Sequence, residues 1–109
     1  MGTATLEVSG ADATRAAAEL HAVLTRNAGH GDSVSPVEVH RSAEMVIAVI
    51  GLVFAGVDTA KTIWDWWQSS RRPEGTTVKI LLADGTQLDV STVRQDQLEI
   101  VFRQAGQQD

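Results

Sequence analysis

Residues 44–68 read EMVIAVIGLVFAGVDTAKTIWDWWQ, and the conformation of this stretch decides the architecture of the rest. At 100° per residue its second half sorts into two faces: Asp58, Lys61, Thr62, Asp65 and Gln68 on one side, Val57, Ala60, Ile63, Trp64 and Trp67 on the other. That is an amphipathic helix. Carried backwards, the same wheel extends the buried stripe through Val46, Val49 and Val53, and it places Ile47, Ile50, Gly51 and Phe54 on the side that Asp58 and Asp65 keep in water. The first half is apolar all round, so the wheel predicts one long helix with more apolar surface than a small fold covers easily. An apolar surface left open marks a contact site. Ile47, Ile50, Gly51 and Phe54 are therefore candidate protein-interface residues, with Trp66 on the flank of the stripe. The competing reading is that another element of the same fold covers Ile47 and Phe54.

Two further features of the stretch bear on that choice. Gly51 with Ala55, and Gly56 with Ala60, form small-xxx-small patterns that let another backbone approach a helix, within the chain or from a partner. Met45 to Val57 is a run of 13 residues without charge, short of the roughly 18 to 20 that a spanning helix needs. Lengthening it places Asp58 and Lys61 in the bilayer at about 2.5–3.5 kcal/mol each. The Trp cluster followed by Arg71 and Arg72 imitates an interfacial belt, which leaves conditional insertion as the alternative to a protein interface.

The remainder of the chain sets a frame for this element. Its 109 residues are 43% hydrophobic and 21% charged, the composition of one globular domain. A net charge of −5 argues against a nucleic-acid partner, which would require Lys and Arg gathered on one surface. Cysteine is absent, which removes disulfide and thiolate chemistry and leaves zinc only His and carboxylate ligands. The opening MGTATLEVSG has neither a basic nor an apolar signal region. A cytoplasmic protein is expected.

In chain order, Thr3–Ser9 alternates as a half-buried strand, with Leu6 and Val8 on one face. Ser9 and Asp12 offer oxygens to a helix start. Ala13, Ala16, Ala17, Leu20, Val23 and Leu24 then recur at helical spacing, predicting a helix over 11–27 that stops near Asn27 and Gly29. A second strand is expected over Val34–Arg41, with Pro36 barring its start from a central ladder position, and a strand–helix–strand order suggests a parallel pair. Ser42 is a candidate N-cap for the long helix, and Pro73 and Gly75 mark its end. A hairpin follows. If Ala83, Asp84 and Gly85 form a three-residue loop with Gly85 left-handed, Val78 faces Val90, Ile80 faces Leu88 and Leu82 faces Thr86. A two-residue Asp84-Gly85 loop would put the two apolar sets out of register. Thr92 with Gln95 is a possible capping box before a last helix over 92–105, striped by Leu98, Val101, Phe102 and Ala105. Residues 106–109 should fray. The expected fold is α+β in the order βαβαββα: a four-stranded mixed sheet, helices mainly on one face, one long central helix, and a single domain over 1–109.

Reactive constellations are sparse. His30, Asp32 and Ser33 have the residue types of a hydrolase triad, but neighbours in one turn do not supply a separated nucleophile, base and orienter. His21 has no carboxylate or histidine four residues away, and His40 with Glu38 is a single pair on one strand face, so no metal site is expected. Neither GxGxxG nor a P-loop is expected, because the wheel places Gly51 and Gly56 inside the long helix rather than between a strand and a helix. Stacking of sugars or bases on Trp66 is the remaining ligand reading. No cofactor and no enzymatic activity are expected.

The layout of a βαβ start with LEVSG, a central helix ending in Trp-rich residues and an Arg pair, a Pro-Gly break, the TTVKILLADGTQLDV hairpin and a short closing helix resembles the effector-associated constant component family. That resemblance implies a non-enzymatic adaptor of bacterial conflict or immunity systems, encoded beside effectors such as peptidases, and implies no catalytic residues. The expectation is a homo-oligomeric or effector-docking protein working through Ile47, Ile50, Gly51, Phe54 and Trp66. The alternative is a small membrane-active effector inserting the same helix.

Overall fold

The computed structural model describes residues 2–10, 12–29, 31–41, 45–69 and 75–106. Its element order is β1 (Gly2–Ser9), α1 (Ala13–Asn27), β2 (Ser33–Val34), β3 (Glu38–Arg41), β4 (Val46–Phe54), α2 (Asp58–Ser69), β5 (Thr77–Leu82), β6 (Gln87–Asp89) and α3 (Gln95–Gly106). The fold is α+β, but it does not contain the expected long central helix. The apolar half of that stretch is β4, a nine-residue strand, and the helix begins only at Asp58. A strand apolar on both faces and a helix apolar all round give the same hydrophobicity trace, so periodicity does not separate them. Residue type does. Val46, Ile47, Val49, Ile50 and Val53 are β-branched, stiff against a preceding helical turn and well suited to a pleated surface.

Nine residues of strand change the sheet. It is six-stranded and antiparallel rather than four-stranded and mixed, in the order β2-β4-β1-β5-β6 with β3 also pairing β4. The parallel pair expected of β1 and the strand after α1 does not form, because β4 lies between them and pairs with both. β1 is antiparallel to both β4 and β5, so those two strands run in the same direction on either side of it. The result is two interlocked split β-α-β units, a ferredoxin-like layout, extended at one edge by β6 and closed by α3. Such a layout carries no function by itself.

Strand parity then decides burial. Ala4, Leu6 and Val8 of β1, Ala48, Ile50, Leu52 and Phe54 of β4, and Val78, Ile80 and Leu82 of β5 are all buried on one face. The three helices pack on that face, with α2 touching both α1 and α3. α1 contributes Ala13, Ala16, Ala17, Leu20 and Leu24, and α3 contributes Leu98 and Phe102, with Val101 and Ala105 partly buried. The Phe54 and Phe102 rings meet at 4.7 Å between centroids. Gly2 is required beside them, since a Cβ there would lie 2.7 Å from the Phe54 ring and 2.9 Å from the Ala105 carbonyl oxygen.

The hairpin follows the expected register. Ile80 pairs with Leu88, the Val90 N–H donates to the Val78 carbonyl at 3.0 Å, the Leu82 N–H donates to the Thr86 carbonyl at 2.9 Å, and Gly85 has φ +94°. Asp84 Oδ1 accepts from the Thr86 N–H at 2.9 Å. Hydrogen bonds from Thr86, backbone first and side chain second, hold the Asp84 carboxyl below its ordinary value. With the folded-state value depressed, its contribution to the turn is complete above the unfolded carboxylate range and is lost as pH falls through the native value. A carbon-detected NMR titration should show Asp84 titrating below the ordinary aspartate range in the native protein, and Thr86→Pro, which removes the main donor, should return it towards that range.

Several expected caps give way to other contacts. Asp12 occupies the N-cap of α1 without a side-chain cap bond, and Ser9 Oγ hydrogen-bonds Thr77 Oγ1 across β1 and β5 instead. Thr92 does not form a capping box with Gln95: its hydroxyl donates to the Asp89 carbonyl, and α3 starts at Gln95. A turn organised by Asp89, which accepts from the N–H and hydroxyl of Ser91, outcompetes it. The chain from Val34 to Arg41 is two short strands rather than one. Three residues, Ser35, Pro36 and Val37, face only Ile50 and Gly51 between the Val34–Leu52 and Glu38–Val49 pairs, which makes an edge bulge at the proline. Gly106, expected to fray, is the last residue of α3, and a Cβ there would sit 3.1 Å from the Ala55 carbonyl oxygen. Ser42, His30, Arg71, Arg72 and Pro73 lie outside the described residues.

Candidate interaction surface

The five residues expected to form an interface are split by the strand. Ile50 and Phe54 point into the core and are fully buried. Ile47 and Gly51 have the opposite parity and lie, partly exposed, on the other face of the sheet. Trp66 is also buried, at 5% exposure, and Trp64 is the partly exposed tryptophan of α2. The reason is that α2 is flanked by α1 and α3, so its sides are covered as well as its underside. Trp66 therefore offers no stacking platform. Its indole N–H is buried without a hydrogen-bond partner, so the ring is held by packing alone.

What the wheel did not show is the face to which Ile47 and Gly51 belong. No described helix packs on it. Four rows cross it, set by the ladder registers. The first is His40, Ile47, Ser9 and Thr77. The second is Glu38, Val49, Glu7, Lys79 and Asp89. The third runs from Ser35 beside Gly51 through Thr5 and Leu81 to Gln87, and the fourth is Ser33, Val53 and Thr3. Ile47, Val49, Val53 and Leu81 are all half-buried here. They form an apolar strip along β4 with an outlier on β5, framed by polar and charged side chains.

Gly51 gives the face its relief. Without a side chain at that position, Thr5, Val49, Ser35, Pro36 and Glu38 surround a shallow hollow. A Cβ on Gly51 would lie 3.0 Å from Ser35 Oγ, and the Gly51 carbonyl accepts the Ser35 N–H at 2.8 Å. The glycine thus admits the edge bulge as well as opening the hollow.

The sheet edges are poor docking sites by comparison. β6 has three residues, and the β2–β3 edge is interrupted by Pro36 and its bulge, both standard protections against strand addition. The face remains the accessible apolar surface of the sheet.

Residues with chemical potential are engaged otherwise. Asp32 accepts from the N–H groups of Gly29, at 2.8 Å, and Ala55, at 3.1 Å, tying the turn after α1 to the turn after β4. Ser33 pairs with Val53 at the start of β2, so these two residues serve the turn and the ladder. His40 Nε2 lies 3.8 Å from Glu38 Oε2, both well exposed. Among the described residues no group of three His, Asp or Glu side chains converges to hold a metal. Comparisons with protein-family models, curated proteins and solved structures found no match.

Proposed function

We propose that this protein is an adaptor that works by contact, through the open face of its sheet rather than through a helix. The observation that supports this reading most directly is the strip Ile47, Val49 and Val53, partly exposed on a face that no described helix covers. Apolar area of this kind, rimmed by Glu7, Glu38 and Lys79, is the composition of a docking patch. The resemblance to the effector-associated constant component family suggests the setting, with a peptidase-type effector or the chain itself as partner. The membrane alternative rests on the long helix, whereas residues 46–54 are a strand, and no helix among the described residues is long and apolar enough to cross a membrane.

Lysine in place of both Ile47 and Val53 should leave the fold's circular dichroism intact, because both positions lie outside the core, and should remove binding. Tagged wild-type and I47K/V53K chains are compared as baits against the untagged chain and against soluble extract of the cells that make it. Wild type is expected to retain at least one protein that the double variant loses. Identical retained sets would overturn the assignment of the face.

A further inference from the structure

We infer that the occupant of the open face is a second copy of this chain, seated face to face about a two-fold axis that runs across the strands between Val49 and Gly51. This rests on the reading of that face as a docking surface and adds the identity and register of the partner. The register follows from the rows. A two-fold axis across the strands lays each strand over its own counterpart in the opposite direction, so the Val49 row of one copy meets the Gly51 row of the other.

That superposition is complementary in shape and opposes no like charges. Val49 projects towards the hollow that Gly51 leaves in the partner, and Ile47 meets Val53. The charged row of Glu38, Glu7, Lys79 and Asp89 lies over the uncharged row of Ser35, Thr5, Leu81 and Gln87, so no like charges are opposed. The other in-plane axis, along β1, is worse in the same registers. It would lay Glu7 over Glu7 and bring Glu38 over Asp89. The twist of each sheet is compatible with the first arrangement, since facing sheets cross at about 30° with their central side chains interlocked.

The area is that of a weak dimer. The strands run to eight residues in β1, nine in β4, six in β5, three in β6 and six in β2 and β3 together, and at about 4.8 Å by about 3.3 Å per residue they give a footprint of about 500 Å² per copy. Two such faces bury about 1,000 Å², below the range of stable interfaces and in that of weak, transient ones. A reversible dimer suits an adaptor that exchanges its copy for an effector.

Light scattering on the purified full chain over a wide concentration range tests this. The expected result is a mass that rises to twice the chain mass and stays at the chain mass in Val49→Asp and in Gly51→Leu, which fills the hollow. Thr5 supplies a readout that does not depend on disruption. About the proposed axis it faces the partner's Glu7 twice, so Thr5→Lys should tighten the dimer by on the order of fivefold and Thr5→Glu should weaken it by a similar factor. Thr5→Lys weakening the dimer would overturn the axis, since Thr5 then faces its own copy. A dimer that survives Val49→Asp and Gly51→Leu would overturn the surface. A wild-type chain that stays monomeric would overturn the second copy as occupant, and the face itself is then judged separately by whether the I47K/V53K bait still loses a protein.

Discussion

Phe54→Ala is expected to destabilise this protein by about 3–5 kcal/mol, the usual cost of truncating a fully buried aromatic. Phe54 has no exposed surface, closes the helix-covered face at the end of β4, and stacks on Phe102 of α3 at 4.7 Å. The Gly2 backbone lies against the same ring. Truncation leaves a cavity bounded by a strand terminus, a ring and a helix, none of which is free to collapse into it. A domain of this size has about 5–15 kcal/mol in total, so the variant should unfold at markedly lower urea. Urea denaturation followed by tryptophan fluorescence checks this. A midpoint close to wild type would mean that Phe54 is not in the core.

The second large effect separates neighbours in the chain. Ile50→Asp should abolish folding, because it places a carboxylate at 0% exposure in the apolar core and such burial costs several kcal/mol. Val49→Asp, one residue earlier, points away from the core beside Glu7 and Glu38, so it should still fold, at the modest cost of opposed like charges, and fail chiefly in association. Both changes insert the same charge into the same apolar run. Circular dichroism and thermal melts of the pair should therefore differ from soluble and cooperative for the Val49 variant to unstructured for the Ile50 variant. On a helix, Val49 would lie in the buried stripe and Ile50 on the open side 100° away, and the two outcomes would be exchanged.

The same parity explains what was legible in the sequence. Helical spacing groups 47, 50, 51 and 54 on one side. Strand spacing keeps 47 with 51 and sends 50 and 54 through the sheet. Two of these four consequently lie on the open face and two in the core, and Val49 and Val53, assigned to the buried stripe, lie beside Ile47 and Gly51. The hairpin was readable because Asp84 and Gly85 specify its loop and only one register puts Val78, Ile80, Leu88 and Val90 on one face. α1 was readable because its alanines and leucines repeat at a helical period with polar residues between them. β4 has no polar residue within it, hence no period, and its β-branched content was the signal available. The pairing of β4 with β1 was not readable, since a central strand shows no local trace of which neighbour it receives.

The claim on which everything else depends is that residues 46–54 are an extended strand with one buried and one open face. Backbone NMR of the intact protein tests it most directly. Strand-type carbon shifts through Val46–Phe54, with cross-strand contacts from Ile50 to Leu6 and from Ala48 to Val8, are the result the registers require. Helical shifts over those nine residues, with contacts between positions three apart, would contradict it and remove the open face altogether.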